Sequence, residues 1–137
     1  MIMSAAEPVA PPTEAEIGRL VDAFYDKVRA DPQLGPVFER AISDWGPHLA
    51  TMRNFWSSVM LTSGRYKGNP VAVHRRVEGL EFDLFARWLA LFDETCRELF
   101  APELAALFQA KAERIAESLK LAMFYRPDRL WPPISAP

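Results

Sequence analysis

Apolar residues recur at helical spacing along most of this chain, which is 137 residues long. The first run follows Thr13, and Glu16 three residues later completes the pattern of a capping box. Its inner face is formed by apolar side chains three or four positions apart: Ile17, Leu20, Val21, Phe24 and Val28. The pair Asp31-Pro32 is predicted to end this helix, because the residue before a proline avoids helical angles.

A short stretch, residues 34–42, is irregular or helical, and a longer helix follows it. Asp44 is a suitable N-cap for that helix, which tolerates a proline in its first turn and runs to about Leu61. Beyond a polar loop with two glycines, Pro70 suits the first turn of a short helix, and Gly79 is well placed to end it.

Two long amphipathic helices complete the pattern. The first begins at about Glu81, ends at Ala101-Pro102, and has an aromatic face: Phe85, Trp88, Leu89, Phe92 and Leu99. The inner face of the second is predicted from the same spacing: Leu104, Phe108, Ile115, Leu119 and Ala122. No run predicts a strand. The fold class is therefore all-α, with one domain, 13–126, between a mobile segment, 1–12, and a proline-rich tail, 127–137.

Composition excludes several classes of protein. The net charge is −2 and acidic and basic residues are mixed, so neither nucleic acid nor an anionic membrane is a predicted partner. The most apolar segment, 85–92, is too short to span a bilayer, and the first twelve residues do not resemble a secretion signal. A single cysteine, Cys96, favours a reducing compartment such as the cytoplasm. Nothing in the charge pattern calls for more than a monomer or weak oligomer.

The two histidines carry the candidate chemistry. His48 opens an apolar helix that has Met52 and Phe55 on the same face, and His74 lies in the short helix before the aromatic one. The chain has too few other ligands to build a metal cage. The arrangement that fits best is an iron porphyrin held by one imidazole, with a second imidazole or a tyrosine opposite.

An ordered set of short motifs resembles the truncated haemoglobins of the third group. The motifs extend over residues 13–125: Phe24-Tyr25-Asp26-Lys27-Val28-Arg29, Asp31-Pro32, Leu34-Gly35-Pro36-Val37-Phe38, His48, Asn54-Phe55-Trp56, Gly64-Arg65-Tyr66, Gly68-Asn69-Pro70, His74 and Arg87-Trp88-Leu89. Each motif is weak alone, whereas the ordered set is specific. The chain also lacks the Gly-Gly pairs that are typical of the other two groups.

The resemblance implies a truncated globin fold, in which a two-over-two helical sandwich surrounds one haem. It implies that His74 is the proximal iron ligand, and that Tyr25, His48 and Trp88 face the open iron position. Residues expected to bind the haem include Phe38, which would stack on it, and five others: Met52, Phe55, Trp56, Tyr66 and Arg76. Of these, Tyr66 and Arg76 are candidates for the propionates, together with Lys67 and Arg75.

Each of these residues also has a structural interpretation. From the residue alone, His74 is more simply a surface histidine, and Tyr25 and Trp88 are more simply core aromatics. His48 could donate to a bound gas, touch a propionate, or act as a gate, and gating is the role we predict. The Trp88 indole N–H can donate but not accept.

Three functional hypotheses follow. The first is a globin that binds dioxygen and related diatomic molecules (NO, CO, cyanide) reversibly. The second is a haem protein for redox chemistry or sensing, in which tight binding is useful and an external reductase supplies electrons. The third is a helical interaction protein without a cofactor. Whether the protein is an enzyme stays open. The haem is predicted to be haem b, bound non-covalently, because the chain contains no Cys-x-x-Cys-His motif.

Overall fold

A computed structural model describes residues 9–132, so residues 1–8 of the predicted mobile segment and 133–137 of the predicted tail lie outside it. The described residues form six helices: α1 (Glu14–Ala30), α2 (Leu34–Ala41), α3 (Trp45–Leu61), α4 (Pro70–Arg75), α5 (Leu84–Leu99) and α6 (Pro102–Phe124). The all-α prediction is confirmed. None of these helices combines the length and apolarity that a bilayer span requires.

Local capping chemistry sets several helix ends as predicted. The Thr13 hydroxyl accepts a hydrogen bond from the Glu16 backbone N–H at 3.1 Å, and the Glu16 carboxylate accepts one from the Thr13 N–H at 2.9 Å. This reciprocal capping box starts α1. The Asp44 carboxylate accepts from the Gly46 N–H and starts α3, which ends at Leu61.

The helices pack as two crossed pairs. Helix α1 packs against α3, α5 packs against α6, and contact between α1 and α5 joins the two pairs. The core between them is dominated by large side chains that are no more than 1% exposed: Ile17, Leu20, Phe24, Trp56, Phe92 and Phe108. The two-over-two sandwich is thus confirmed. Helix α4 is short, has no buried residue of its own, and rests on α6.

Some helix boundaries differ from those predicted from the sequence. Helix α4 ends at Arg75 rather than Gly79, because the Arg76 N–H turns back to Val73 and His74 carbonyls and tightens the last turn. Gly79 does adopt a left-handed φ of 79°, but in the loop beyond the helix. Helix α5 begins at Leu84, three residues later than the predicted start at Glu81.

The buried face of α6 also differs from the predicted one. Alanines contribute most of its buried residues: Ala105, Phe108, Ala112, Ala116 and Leu119. Leu104, Ile115 and Ala122, which the pattern placed on the inner face, are only partly buried. Small residues let two helix backbones approach closely, and a hydrophobicity pattern dominated by large side chains does not register them.

A buried carboxylate fixes the junction between α1 and α2. Asp31 Oδ2 accepts backbone hydrogen bonds from Gln33 (3.0 Å) and Leu34 (2.8 Å), and Oδ1 accepts from the Arg87 guanidinium at 2.6 and 2.8 Å. Burial alone would raise the pKa of Asp31, but the hydrogen bonds from Arg87, Leu34 and Gln33 outweigh it and lower that pKa. One side chain therefore caps α2 and ties it to α5.

Candidate functional site

The main cavity of the protein lies between the two helix pairs. It comprises about 970 Å³, including space that is open to solvent, and every one of the six helices contributes to its walls. Most of the lining is apolar or aromatic, which is the usual character of a site for an organic ligand. A second cavity of about 1170 Å³ adjoins the first, since Phe38, Val73, His74 and Leu80 line both.

His74 is the imidazole of the main cavity, and local geometry fixes its tautomer. The Asn69 side chain caps α4, and Pro70 occupies the first turn. His74 Nδ1 lies 2.6 Å from the Pro70 carbonyl oxygen, one helical turn back. A carbonyl oxygen cannot donate, so Nδ1 carries the proton, and in the neutral ring Nε2 has the lone pair. That lone pair is what a metal would use, with the ring orientation already set.

Tyr25 brings an unpaired phenol to the same cavity. The residue is 3% exposed, and its hydroxyl makes no hydrogen bond to any residue in the described part of the chain. Burial raises the pKa of Tyr25 well above its ordinary value of 10.0. The hydroxyl therefore keeps its proton and is available as a donor to a molecule in the cavity.

Trp88 supplies a second donor from a different helix. Its ring stacks on Phe92 at 5.4 Å and meets Phe24 edge-on at the same centroid distance, which holds the indole in place. The indole N–H donates no hydrogen bond to any residue within 9–132, and Trp88 lines the main cavity. Tyr25 and Trp88 are thus brought to the same cavity.

His48 lies beside these donors but lines the second cavity rather than the main one. Its ring meets the Tyr25 ring at right angles, with centroids 5.2 Å apart. Its Nε2 atom is buried and has no hydrogen-bond partner among the described residues. Burial, and then repulsion from His74, lower the pKa of His48 below its ordinary value of 6.5, so the ring is neutral at neutral pH.

The predicted cofactor-binding residues divide between the two cavities. Most line the main one: Phe38, Met52, Phe55, Trp56 and Tyr66. Arg76 lines the second cavity. Arg75 instead donates to the Ala122 carbonyl at 2.8 Å and ties α4 to the end of α6. Lys67 lines neither cavity.

Tyr66 is held in the cavity wall by its loop. Its backbone N–H donates to the Ser58 hydroxyl at 2.8 Å, and its ring meets Phe55 edge-on at 5.1 Å. The phenol packs over Gly68, where any Cβ atom would collide with it. Burial raises the pKa of Tyr66. Glycine at position 68 is therefore required for this placement.

Several lining residues were missed by the sequence analysis. They come from the first residues of α2 and α5, from α4, and from the loop before α5: Leu34, Leu84, Val73 and Leu80. Trp45, which contacts both Tyr25 and His48, was also missed. A helical projection of α3 could have found Trp45, because it lies three residues before His48 on the same face. No local signal marks Leu80 as a lining residue.

Known proteins resemble this chain over most of its length. It is 31% identical over 115 residues to the group 3 truncated haemoglobin ctb of Campylobacter jejuni, a match that covers 81% of this chain and 91% of that protein. The crystal structure of the group III truncated haemoglobin from Campylobacter jejuni superposes with a TM-score of 0.78 at 30% identity, covering 86% of this chain and 94% of that one. THB1 of Chlamydomonas reinhardtii superposes with a TM-score of 0.62 at 33% identity, covering 82% and 90%. No family model matches the chain.

Proposed function

The chain belongs to the group 3 truncated haemoglobins, and on this premise we propose that its main cavity holds one haem b, whose iron His74 would bind. The observation that carries the proposal is the His74–Pro70 hydrogen bond, which leaves a basic Nε2 in an apolar cavity. When bound, the haem iron supplies an open position for a diatomic gas.

The chemical character of the cavity lining fits a haem. Its aromatic and aliphatic walls suit the porphyrin ring: Phe38, Met52, Phe55 and Trp56 would pack against it. The polar propionates need hydroxyls or cations, which Tyr66 and Arg76 supply at the two cavities. Cys96 lies in the core and lines neither cavity, and burial raises its pKa to about 12. That placement supports non-covalent attachment of the haem.

The two unpaired donors favour tight binding of the gas. The Tyr25 hydroxyl and the Trp88 N–H are held by packing before any ligand arrives, so they need no reorganisation to stabilise negative charge on it. We propose that the protein binds dioxygen, NO, CO and cyanide, and that tight binding serves redox chemistry or the sensing of reactive oxygen and nitrogen species. His48 would act as a gate beside Tyr25.

Redox turnover would require electrons from an external reductase, because the sequence contains no motif for binding a second redox cofactor. We place the protein in the cytoplasm as a monomer or weak oligomer, where a lone buried thiol stays reduced. Simple reversible oxygen carriage is the second candidate function, and it would be favoured if the donors proved inert. A cofactor-free interaction protein is the remaining alternative.

The purified protein, expressed with a haem supply, should be red and should contain one haem per chain. Acidified organic solvent should extract all of the colour, because no thioether bond holds the ring. A mass spectrum of the denatured chain should equal the sequence mass of 15.5 kDa without added haem. A colourless protein that takes up no haemin on titration would instead support the cofactor-free alternative.

Replacing either donor should speed dioxygen release. We expect Tyr25→Phe and Trp88→Phe each to raise the dissociation rate about three- to tenfold, the effect of one lost hydrogen bond of ordinary size. Stopped-flow mixing of the oxygen-loaded ferrous protein with excess CO would measure this rate. Phe100→Leu, which alters a core ring outside both cavities, is the control. Unchanged rates together with rapid release in the wild type would favour simple carriage.

A further inference from the structure

Trp45 forms one side of an aromatic enclosure around His48. The Trp45 and His48 rings are perpendicular with centroids 5.6 Å apart, and the Trp45 ring also lies 5.9 Å from that of Tyr25. Since His48 meets Tyr25 at right angles as well, the imidazole has aromatic rings on two sides. Its remaining open side faces the second cavity.

Trp45 is itself held from outside by two charged residues on two other helices. The Arg29 guanidinium carbon lies 4.4 Å from the centroid of the Trp45 ring, within cation–π range. The Glu39 carboxylate accepts from Arg29 Nε at 3.0 Å and from Trp45 Nε1 at 3.4 Å. These contacts close a triangle that joins α1, α2 and α3.

The orientation of His48 depends on this packing. Its buried Nε2 has no hydrogen-bond partner in the described part of the chain, so no polar contact at that atom fixes the ring. The imidazole is only half-buried and has space beside it in the second cavity. Removing one aromatic wall would therefore free the ring to rotate.

We propose that Trp45 is a positioning residue that holds His48 against Tyr25, with Arg29 and Glu39 holding Trp45 in turn. This inference rests on the proposed function. His48 lies at the boundary between the two adjoining cavities, because it contacts Tyr25 of the main cavity and lines the second. Held in place, the ring obstructs passage between them. Released, it lets a gas ligand enter the main cavity faster.

The test is the rate of CO association after flash photolysis of the haem-loaded ferrous protein. Trp45→Ala should raise this rate about three- to tenfold, the value of one edge-to-face aromatic contact. Glu39→Gln should give a smaller increase, because the Trp45 ring keeps the Arg29 guanidinium over it but is held less firmly without a charged acceptor. Arg53→Gln, which breaks an equally exposed ion pair with Asp22 about two turns further along α3, should leave the rate unchanged.

A double-mutant cycle separates positioning from a general effect on α3. In a His48→Leu background, Trp45→Ala should no longer change the CO association rate, because the residue through which it acts is gone. If Trp45→Ala does not retain haem, Trp45→Phe replaces it in the same double-mutant cycle, and the expected increase in the CO association rate is smaller.

An effect of equal size in the presence and absence of His48 would overturn the inference, as would no effect of any Trp45 variant. Wild-type protein that binds no CO would overturn the haem proposal itself, and this inference with it. Wild-type binding with additive Trp45 effects would contradict only the role assigned to Trp45.

Discussion

The His74→Ala variant should fold and lose its haem. Under the haem proposal, removing the imidazole would delete the group that holds the iron, while the apolar walls of the cavity remain. Changes to groups that merely orient a metal ligand cost 10–100-fold in affinity, so loss of the ligand should accelerate haem release by more than about 100-fold. The measurement is transfer of haem to an excess of an apoglobin acceptor, followed by absorbance.

Two controls make the His74→Ala result specific. His48→Ala should retain haem, because His48 lines the adjoining cavity and not the main one. Added imidazole should restore a histidine-like spectrum to the His74→Ala variant, since the vacated space lies directly on the cavity wall. If His74→Ala keeps haem with a native resonance Raman signature of histidine ligation, another residue is the ligand and the assignment is wrong.

The Asp31→Asn variant should lose about 2 to 4 kcal/mol of unfolding free energy, the cost of breaking a buried, hydrogen-bonded charge. Both carboxylate oxygens accept hydrogen bonds: Oδ2 from two backbone N–H groups and Oδ1 from Arg87. An asparagine has only one acceptor, so its NH₂ group must face donors on one side or the other. Urea denaturation followed by circular dichroism, at matched haem excess, would measure the loss.

The same carboxylate predicts a pH dependence with a definite sign. Its pKa in the folded protein lies below the ordinary value of 3.8, so its stabilisation is fully present above that value. It is lost as the pH falls through the folded-state pKa. The stability difference between wild type and Asp31→Asn should therefore be constant from pH 5 to 7 and shrink below about pH 4.

Asp22→Asn is the matched control for Asp31. Asp22 pairs with Arg53 at 2.7 Å, a distance close to that between Asp31 and Arg87. The side chains of Asp22 and Arg53 are both about half exposed, however. Exposed pairs contribute at most about 1 kcal/mol. If Asp22→Asn and Asp31→Asn proved equally costly, burial and helix capping would not explain the role of Asp31.

Local features of the fold could be predicted because their causes are local. The Thr13 capping box and the His74–Pro70 hydrogen bond join residues three or four positions apart. A sequence displays such pairs directly, whether or not the tertiary structure is known. The placement of Tyr25 and Trp88 at one cavity followed instead from the family resemblance, since 63 residues of chain separate them.

Other features depend on contacts that only the assembled fold creates. The Asp31–Arg87 pair spans 56 residues, and no periodicity in either helix selects the partner. The contacts of Arg29 and Glu39 with Trp45 join three helices, and no spacing along the chain selects these partners. The division of the site into two adjoining cavities, with His48 on one and Trp88 on the other, is likewise a property of the packed helices.

Every helix of residues 9–132 contributes to the walls of the main cavity, so the stability of the protein in a cell should depend on what fills that cavity. Without haem, side chains from six helices line a space of about 970 Å³, open in part to solvent, that they do not fill. A ligand present at 100 times its dissociation constant adds about 2.7 kcal/mol to the free energy of unfolding, which is a large share of the stability of a small domain. Under the haem assignment, a shortage of the cofactor would first appear as faster proteolysis of newly made chains. The abundance of this globin would then follow the haem supply of the cell, even with transcription held constant.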